Sequence, residues 1–251
     1  MNLLLIIGII IIVVLVIALV FHFIKMALKS FGIIILILIA IFAVLGVLTY
    51  FDAIDFQESF GVSDNLYLLR EDDAILAGFI ANAQDPEGAE LLDSNTLSDY
   101  EKKLQDENYE EVLGENYKLF IIEMEVLEES VLKSLKFRGY NLSKELGISI
   151  LKSNTPRDDL AQYIATENGV PKEIVLQTFD DNNITSDAQM KGALFALFRE
   201  KQFTEGRGLR GMISNIKNSK IVVYPKKVLF TMIRLIPDSW VDKLVEINEG
   251  G

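Results

Sequence analysis

The residues that most often do chemistry in proteins are scarce in this chain. Its 251 residues include no cysteine and a single histidine, His22. Beyond residue 22, a Ser-His-Asp triad, a Cys-His nucleophile and the usual thiolate or imidazole metal sites cannot be assembled. The sequence therefore predicts no catalytic residue, no metal ligand and no cofactor. His22 itself fits a polar anchor at a membrane interface better than a ligand.

Two kinds of hydrolytic chemistry remain open. The pairs Ser143-Lys144 and Ser219-Lys220 carry the residue types of a serine-lysine hydrolase, but adjacency in sequence does not bring a lysine amine to a serine oxygen. Among 36 acidic residues some carboxylates will be close in space, and the sequence does not select a pair. A hydrolase is therefore an alternative without assigned residues.

Two short motifs imitate ligand sites. Residues 206–211, Gly-Arg-Gly-Leu-Arg-Gly, have the glycine spacing of a dinucleotide loop, but an apparent helix precedes them where that loop needs a strand. Residues 180–183, Asp-Asp-Asn-Asn, lack the glycine and terminal glutamate of an EF-hand. We interpret the first as a flexible basic connector and the second as a solvated turn.

Charge changes sign along the chain. Residues 51–130 hold 22 acidic and 4 basic side chains, whereas residues 191–234 hold ten basic side chains against Glu200 and Glu205. The pattern favours a basic segment folded against the acidic one, and the alternative is a surface for an anionic partner. No nucleic acid partner is predicted. The residues of that alternative surface are Arg207, Arg210, Lys217, Lys220, Lys226 and Lys227.

Two apolar runs at the N-terminus predict an anchor in the lipid bilayer. Leu3 to Phe21 and Phe31 to Thr49 contain no ionisable side chain, and each approaches the ~20 residues that a helix needs to cross ~30 Å of hydrocarbon. We predict a helical hairpin over residues 1–51, with spans at about 3–24 and 31–50 and a basic bend at 22–30. A cleaved signal peptide fits poorly because the first run is too long and lacks a basic start.

The orientation follows from the lysines. Lys25 and Lys29 lie between the runs, and the next basic residue is Arg70. Because short basic loops stay in the cytoplasm, we expect a membrane protein with the bend inside and both termini outside. In a glycosylating host, Asn141 and Asn183 would then be glycan acceptors.

The remaining sequence predicts one soluble domain at 64–251, after a connector at 52–63. Alternation and composition predict strands at 66–70, 74–80, 117–124 and 220–224, with the third paired to the first two. Periodicity and capping signals predict helices at 94–113, 126–137, 155–169 and 186–203, and two more pieces at 226–236 and 239–247. Strands and helices without regular alternation indicate an α+β fold.

These features favour a non-catalytic binding or assembly module, anchored in the membrane and displayed outside the cytoplasm. Its expected partners are the bilayer and a protein or membrane complex. Two alternatives remain: a membrane-tethered hydrolase that uses carboxylates or a serine-lysine pair, and an accessory or regulatory subunit of a membrane complex whose soluble domain is cytoplasmic.

Overall fold

A computed structural model of the chain describes residues 3–82, 88–204 and 208–235. The chain divides into two compact units, Met1–Tyr50 and Phe51–Gly251. The predicted helix at 239–247, with Trp240, lies outside the described residues. The bounds of the elements are α1 Leu3–Ser59, β1 Asn65–Glu71, β2 Ala74–Ala81, β3 Glu90–Leu91, α2 Ser94–Gln105, α3 Tyr109–Leu113, β4 Lys118–Glu123, α4 Met124–Glu128, β5 Ser134–Phe137, β6 Tyr140–Ser143, α5 Lys144–Lys152, α6 Pro156–Asn168, α7 Lys172–Asp181, α8 Asp187–Thr204, α9 Gly208–Lys217, β7 Ile221–Tyr224 and α10 Val228–Ile233.

The second unit is built on a sheet of five strands in the order β3-β2-β1-β4-β7. β1 and β2 form an antiparallel hairpin, β4 lies parallel to β1, and β7 is antiparallel to β4. The four predicted strands, and the pairing of the third with the first hairpin, are confirmed. Strands and helices together form the mixed α+β domain that the sequence predicts.

The sheet buries both of its faces, because alternate residues of its central strands point to opposite sides. Leu66 and Leu68 pack with Leu97 of α2 and Val112 of α3 in one cluster. The intervening Tyr67 packs with residues of α5, α6 and α8 in the other, larger cluster. The central strands therefore read as continuous apolar runs.

The N-terminal region differs from the predicted hairpin. A single helix, α1, runs from Leu3 to Ser59, and residues 22–30 are helical where a bend was expected. The reason is local: Lys25, Met26, Ala27, Leu28 and Lys29 are good helix formers, and residues 22–30 include neither proline nor glycine. Most of the predicted connector is also helical, since α1 continues to Ser59.

One stretch of α1 is long and apolar enough to cross a membrane. Phe31–Ser59 has a mean hydropathy of 3.3 in its most apolar window, and none of that window is buried. In the first run, only Leu19 and Val20 have described side chains, and both are exposed. The structure therefore shows one candidate span, consistent with a membrane anchor or a signal sequence, and two spans are not shown.

The predicted helix at 126–137 is mostly wrong. The chain forms the short α4, which ends at Glu128, and then the hairpin of β5 and β6. Leu135 and Phe137 are buried while Ser134 and Lys136 are exposed, which is the period of a strand. β5 has only four residues, so its alternation of buried and exposed side chains is a weak signal in the sequence. The apolar residues before it have helical spacing, and that stronger signal led to the predicted helix.

Candidate functional site

The most unusual side chain of the domain is a lysine without contact with water. Lys118 is the first residue of β4, its exposed fraction is 0%, and its Nζ has no hydrogen-bond partner within the described residues. Its register neighbour on β1 is Asn65, whose Oδ1 is likewise buried without a partner. Buried lysines are rare because removing an ammonium group from water is costly.

Aromatic rings take the place of the missing acceptor. The Nζ of Lys118 lies 4.7 Å from the ring centroid of Tyr117 and 5.7 Å from that of Phe230 in α10. The negative face of an aromatic ring attracts a cation at these distances. Two rings therefore offset part of the cost of burying the amine.

The end of α1 supplies the carboxylates of the same region. The Tyr117 hydroxyl donates a hydrogen bond of 2.8 Å to Oδ2 of Asp55, and Lys227 donates to the same oxygen. Oδ2 of Asp52, one turn earlier, accepts the backbone N–H of Leu229 at 3.2 Å. We call Asp52, Asp55, Tyr117, Lys118 and Lys227 the Lys118 cluster.

The surroundings of Lys118 make its amine easier to deprotonate than that of an exposed lysine. Burial lowers the pKa of Lys118 to about 8, and repulsion from Lys227 acts in the same direction, while Asp55 and Asp52 oppose it. Burial and the hydrogen bond to Asp55 raise the pKa of Tyr117. A neutral amine is a nucleophile and a base, so the lowered pKa brings Lys118 closer to that chemistry than an ordinary lysine.

Access limits what this amine can do. The nearby cavity beside Phe230 measures about 50 Å³ and is lined by Lys226, Thr231 and Arg234, but not by Lys118. The ring of Phe56 packs against that of Phe230, and the ring of Phe60 packs against that of Phe120. These contacts further restrict access to this end of the sheet. The geometry supports a role in holding residues 52–59, the last turns of α1, against β4 and α10.

Residues of the two serine-lysine pairs form hydrogen bonds with the backbone and ion pairs with glutamates. Ser143 caps α5 by accepting the N–H of Leu146 at 3.1 Å, and Lys144 donates to the carbonyl oxygens of Glu128 and Ser130. Lys220 forms ion pairs with Glu125 at 3.0 Å and Glu129 at 2.6 Å, which raise its pKa. A serine-lysine hydrolase needs a neutral amine at the serine, and the ion pairs of Lys220 favour its charged form.

The six basic residues singled out from the sequence occupy different environments. Lys220 and Lys227 pair with carboxylates from the acidic half of the chain, Lys226 lines the cavity beside Phe230, and Lys217 lies at the end of α9. Arg207 and the side chain of Arg210 lie outside the described part of the chain. The ion pairs of Lys220 and Lys227 join the basic segment to the acidic one.

Within residues 3–82, 88–204 and 208–235, no group of three or more His, Cys, Asp or Glu residues is arranged to hold a metal ion. Asp180, from the predicted solvated turn, instead pairs with Arg157. No family model, curated protein or solved structure matches this chain.

Proposed function

We propose that this protein is a membrane-anchored, non-catalytic binding module whose soluble domain lies outside the cytoplasm. The observation that carries the proposal is the candidate span. The most apolar window of Phe31–Ser59 has no buried residue and a mean hydropathy of 3.3. An exposed apolar helix of this length is unfavourable in water, and the hydrocarbon core of a bilayer would bury it.

The length of α1 supports a bend on insertion into lipid. A helix of 57 residues is about 85 Å long at 1.5 Å per residue, nearly three times the hydrocarbon thickness of ~30 Å. Both apolar runs can lie in lipid only if the helix folds back between them. Residues 22–30, with Lys25 and Lys29, are the polar segment where this return is expected.

A binding role is supported by how the domain uses its reactive groups. Lys144 and Lys220 are engaged by carbonyl oxygens and carboxylates, and Lys118 is enclosed. The domain nevertheless has a core of its own, more than a tether would need. We infer that its surface, rather than one of these amines, carries the function.

Cysteine labelling tests the anchor and its orientation, because the native chain has no cysteine to remove. Single variants Asn2→Cys, Ser30→Cys and Ser134→Cys report on the N-terminus, the bend and an exposed position of β5. In intact cells, a membrane-impermeant maleimide should label residues 2 and 134, and residue 30 only after permeabilisation. Labelling of residue 30 with protection of residue 134 would contradict the proposal and favour a cytoplasmic accessory subunit.

The binding role requires a separate experiment. The full-length protein, extracted from membranes in mild detergent, should co-purify with a partner in a constant ratio. In the labelling experiment, protection of residue 2 as well as residue 30, with residue 134 labelled, would leave the span at 31–50 as the anchor and keep an outward domain. Isolation as a lone monomer from several detergents would contradict the binding role even if the labelling pattern is as expected.

A further inference from the structure

A groove follows the first part of β2, which β3 does not cover because β3 pairs only with Phe79 and Ile80. Leu97 of α2 and Ala188 of α8 belong to the same core cluster, while the later buried residues of α8 belong to the other, and the groove opens between the N-terminal halves of the two helices. Its volume is about 280 Å³, compared with about 50 Å³ for the cavity beside Phe230 and about 30 Å³ for the one beside Arg199. Small-molecule sites begin at about this size.

The floor of the groove is apolar and its walls are polar. Ile75 of β2, Leu97 of α2 and Ala188 of α8 are buried beneath it. Hydroxyl and amide groups of Ser98 and Asn154 lie along its exposed margin. An apolar floor with a few polar groups around it is the usual composition of a ligand site.

The wall formed by α8 carries a cation, Lys191, and one turn earlier the carboxylate of Asp187. Lys191 of α8 lines the groove and is half-buried, and within residues 3–82, 88–204 and 208–235 its amine forms neither a hydrogen bond nor an ion pair. Burial lowers the pKa of Lys191, while Asp187 and Glu71 oppose that change. A partly desolvated amine attracts an anion more strongly than a fully hydrated one does.

The other wall carries an anion held in a fixed position. Oε2 of Glu101, on α2, accepts the backbone N–H of Ile75 at 3.0 Å. In the described part of the chain, Oε1 of the same carboxylate has no hydrogen bond. Glu101 is half-buried and lines the groove, so its free oxygen can accept a charge-assisted hydrogen bond from a cation in the groove.

We propose that this groove binds a small zwitterion of the α-amino-acid class, with the ligand carboxylate at Lys191 and the ligand ammonium at Glu101. The apolar floor formed by Ile75, Leu97 and Ala188 favours an aliphatic side chain. The inference rests on the proposed function in that it treats the soluble domain as a binding module, and it names the ligand class.

Calorimetry on the full-length protein in detergent tests the assignment with three probes: L-leucine, L-leucinamide, which lacks the carboxylate, and N-acetyl-L-leucine, which lacks the ammonium. L-leucine should bind, and each analogue should bind at least about tenfold more weakly, because one charged wall loses its partner. Absence of L-leucine binding at millimolar concentration, or equal binding of all three, would overturn the proposal without any variant being made.

Two variants assign the charges. Lys191→Met should weaken L-leucine about tenfold and leave L-leucinamide unchanged, and Glu101→Gln, which keeps an oxygen for Ile75, should weaken L-leucine and leave N-acetyl-L-leucine unchanged. Lys136→Met, on the exposed side of β5, is the matched control and should bind like the wild type. An effect of Lys191→Met that is equal for both ligands would overturn the assignment. Because cysteine labelling does not involve the groove, failure here is distinguishable from failure of the membrane proposal.

Discussion

At the scale of single residues, Lys118 illustrates how a charged group is kept inside a protein. Its long apolar stem continues the buried surface of β4, while the amine lies between the rings of Tyr117 and Phe230. The carboxylate of Asp55 is already bonded to Tyr117 and Lys227. Among the described residues the amine of Lys118 thus has charges and rings around it but no acceptor, so its burial costs stability.

Replacing this amine tests that cost. Lys118→Met keeps the length of the side chain and removes the buried charge, so we expect the free energy of unfolding at pH 7 to rise by about 1–3 kcal/mol. Chemical denaturation of the full-length protein in detergent, followed by near-ultraviolet circular dichroism, measures it. Lys136→Met, at an exposed position, should change stability by less than about 0.5 kcal/mol. A destabilised Lys118→Met would show that the aromatic contacts more than offset the burial.

The same residue gives stability a dependence on pH. Because burial lowers the pKa of Lys118 to about 8 from its ordinary 10.5, the unfolded chain binds more protons than the folded one between these values. The wild type should therefore gain about 1–2 kcal/mol from pH 7 to pH 9.5 relative to Lys118→Met. Tyr117 stays protonated over this range because its pKa is raised. Equal pH profiles for the two proteins would contradict the assignment.

Sequence reasoning missed the Lys118 cluster although one signal was present. The segment 117–124 was predicted as a buried strand, and a lysine inside such a strand is an anomaly that marks a special site. Its partners could not have been found in the same way. Asp55 and Lys227 are 172 positions apart and meet only because α1 extends into the domain. The groove was equally hidden, since Glu101 and Lys191 belong to different helices.

At the scale of elements, α5 shows how a glycine sets the distance between neighbours. A Cβ atom on Gly147 would lie 2.9 Å from side-chain atoms of Leu135 in β5 and Phe198 in α8. Both side chains are buried, which leaves them little room to move away. The close approach of α5 and α8 therefore depends on the missing methyl group.

Gly147→Ala should destabilise the domain by about 1–3 kcal/mol, because overpacking outweighs the ~1 kcal/mol that alanine gains in helix propensity. The measurement is thermal and chemical unfolding by near-ultraviolet circular dichroism. Ser149→Ala, an exposed position of the same helix, should change stability by less than about 0.5 kcal/mol. Equal stabilities of the two variants would mean that α5 shifts to accommodate the methyl group.

Elements were predictable where a local pattern was long enough. β1, β2, β4 and β7 follow from runs of apolar and β-branched residues, and α6 follows from Pro156 at its first position and Gly169 after its last. The hairpin of β5 and β6 was missed because each strand has four residues. The parallel pairing of β1 with β4 is a tertiary choice that no local signal records.

At the scale of the whole molecule, two lysines are expected to decide where the domain resides. Lys25 and Lys29 are the only basic residues before Arg70, so the inward preference of the segment rests on them. The double variant Lys25→Gln, Lys29→Gln should give a mixed orientation, with part of the Ser134→Cys population protected from external maleimide. Lys102→Gln and Lys103→Gln, far from the membrane segment, should leave labelling complete. Unchanged labelling of the first variant would show that another feature sets the topology.

The proposed anchor would confine copies of this protein to two dimensions, where encounters between neighbours are frequent, and the edges of the sheet suit that setting. β3 has two residues, β7 has four and is followed by Pro225, and the carboxylate of Glu101 occupies the N–H of Ile75 on the free flank of β2. Short edge strands, a proline and a backbone N–H that is already hydrogen-bonded each discourage strands of adjacent copies from pairing. The fold can therefore be crowded on a surface without polymerising through its sheet.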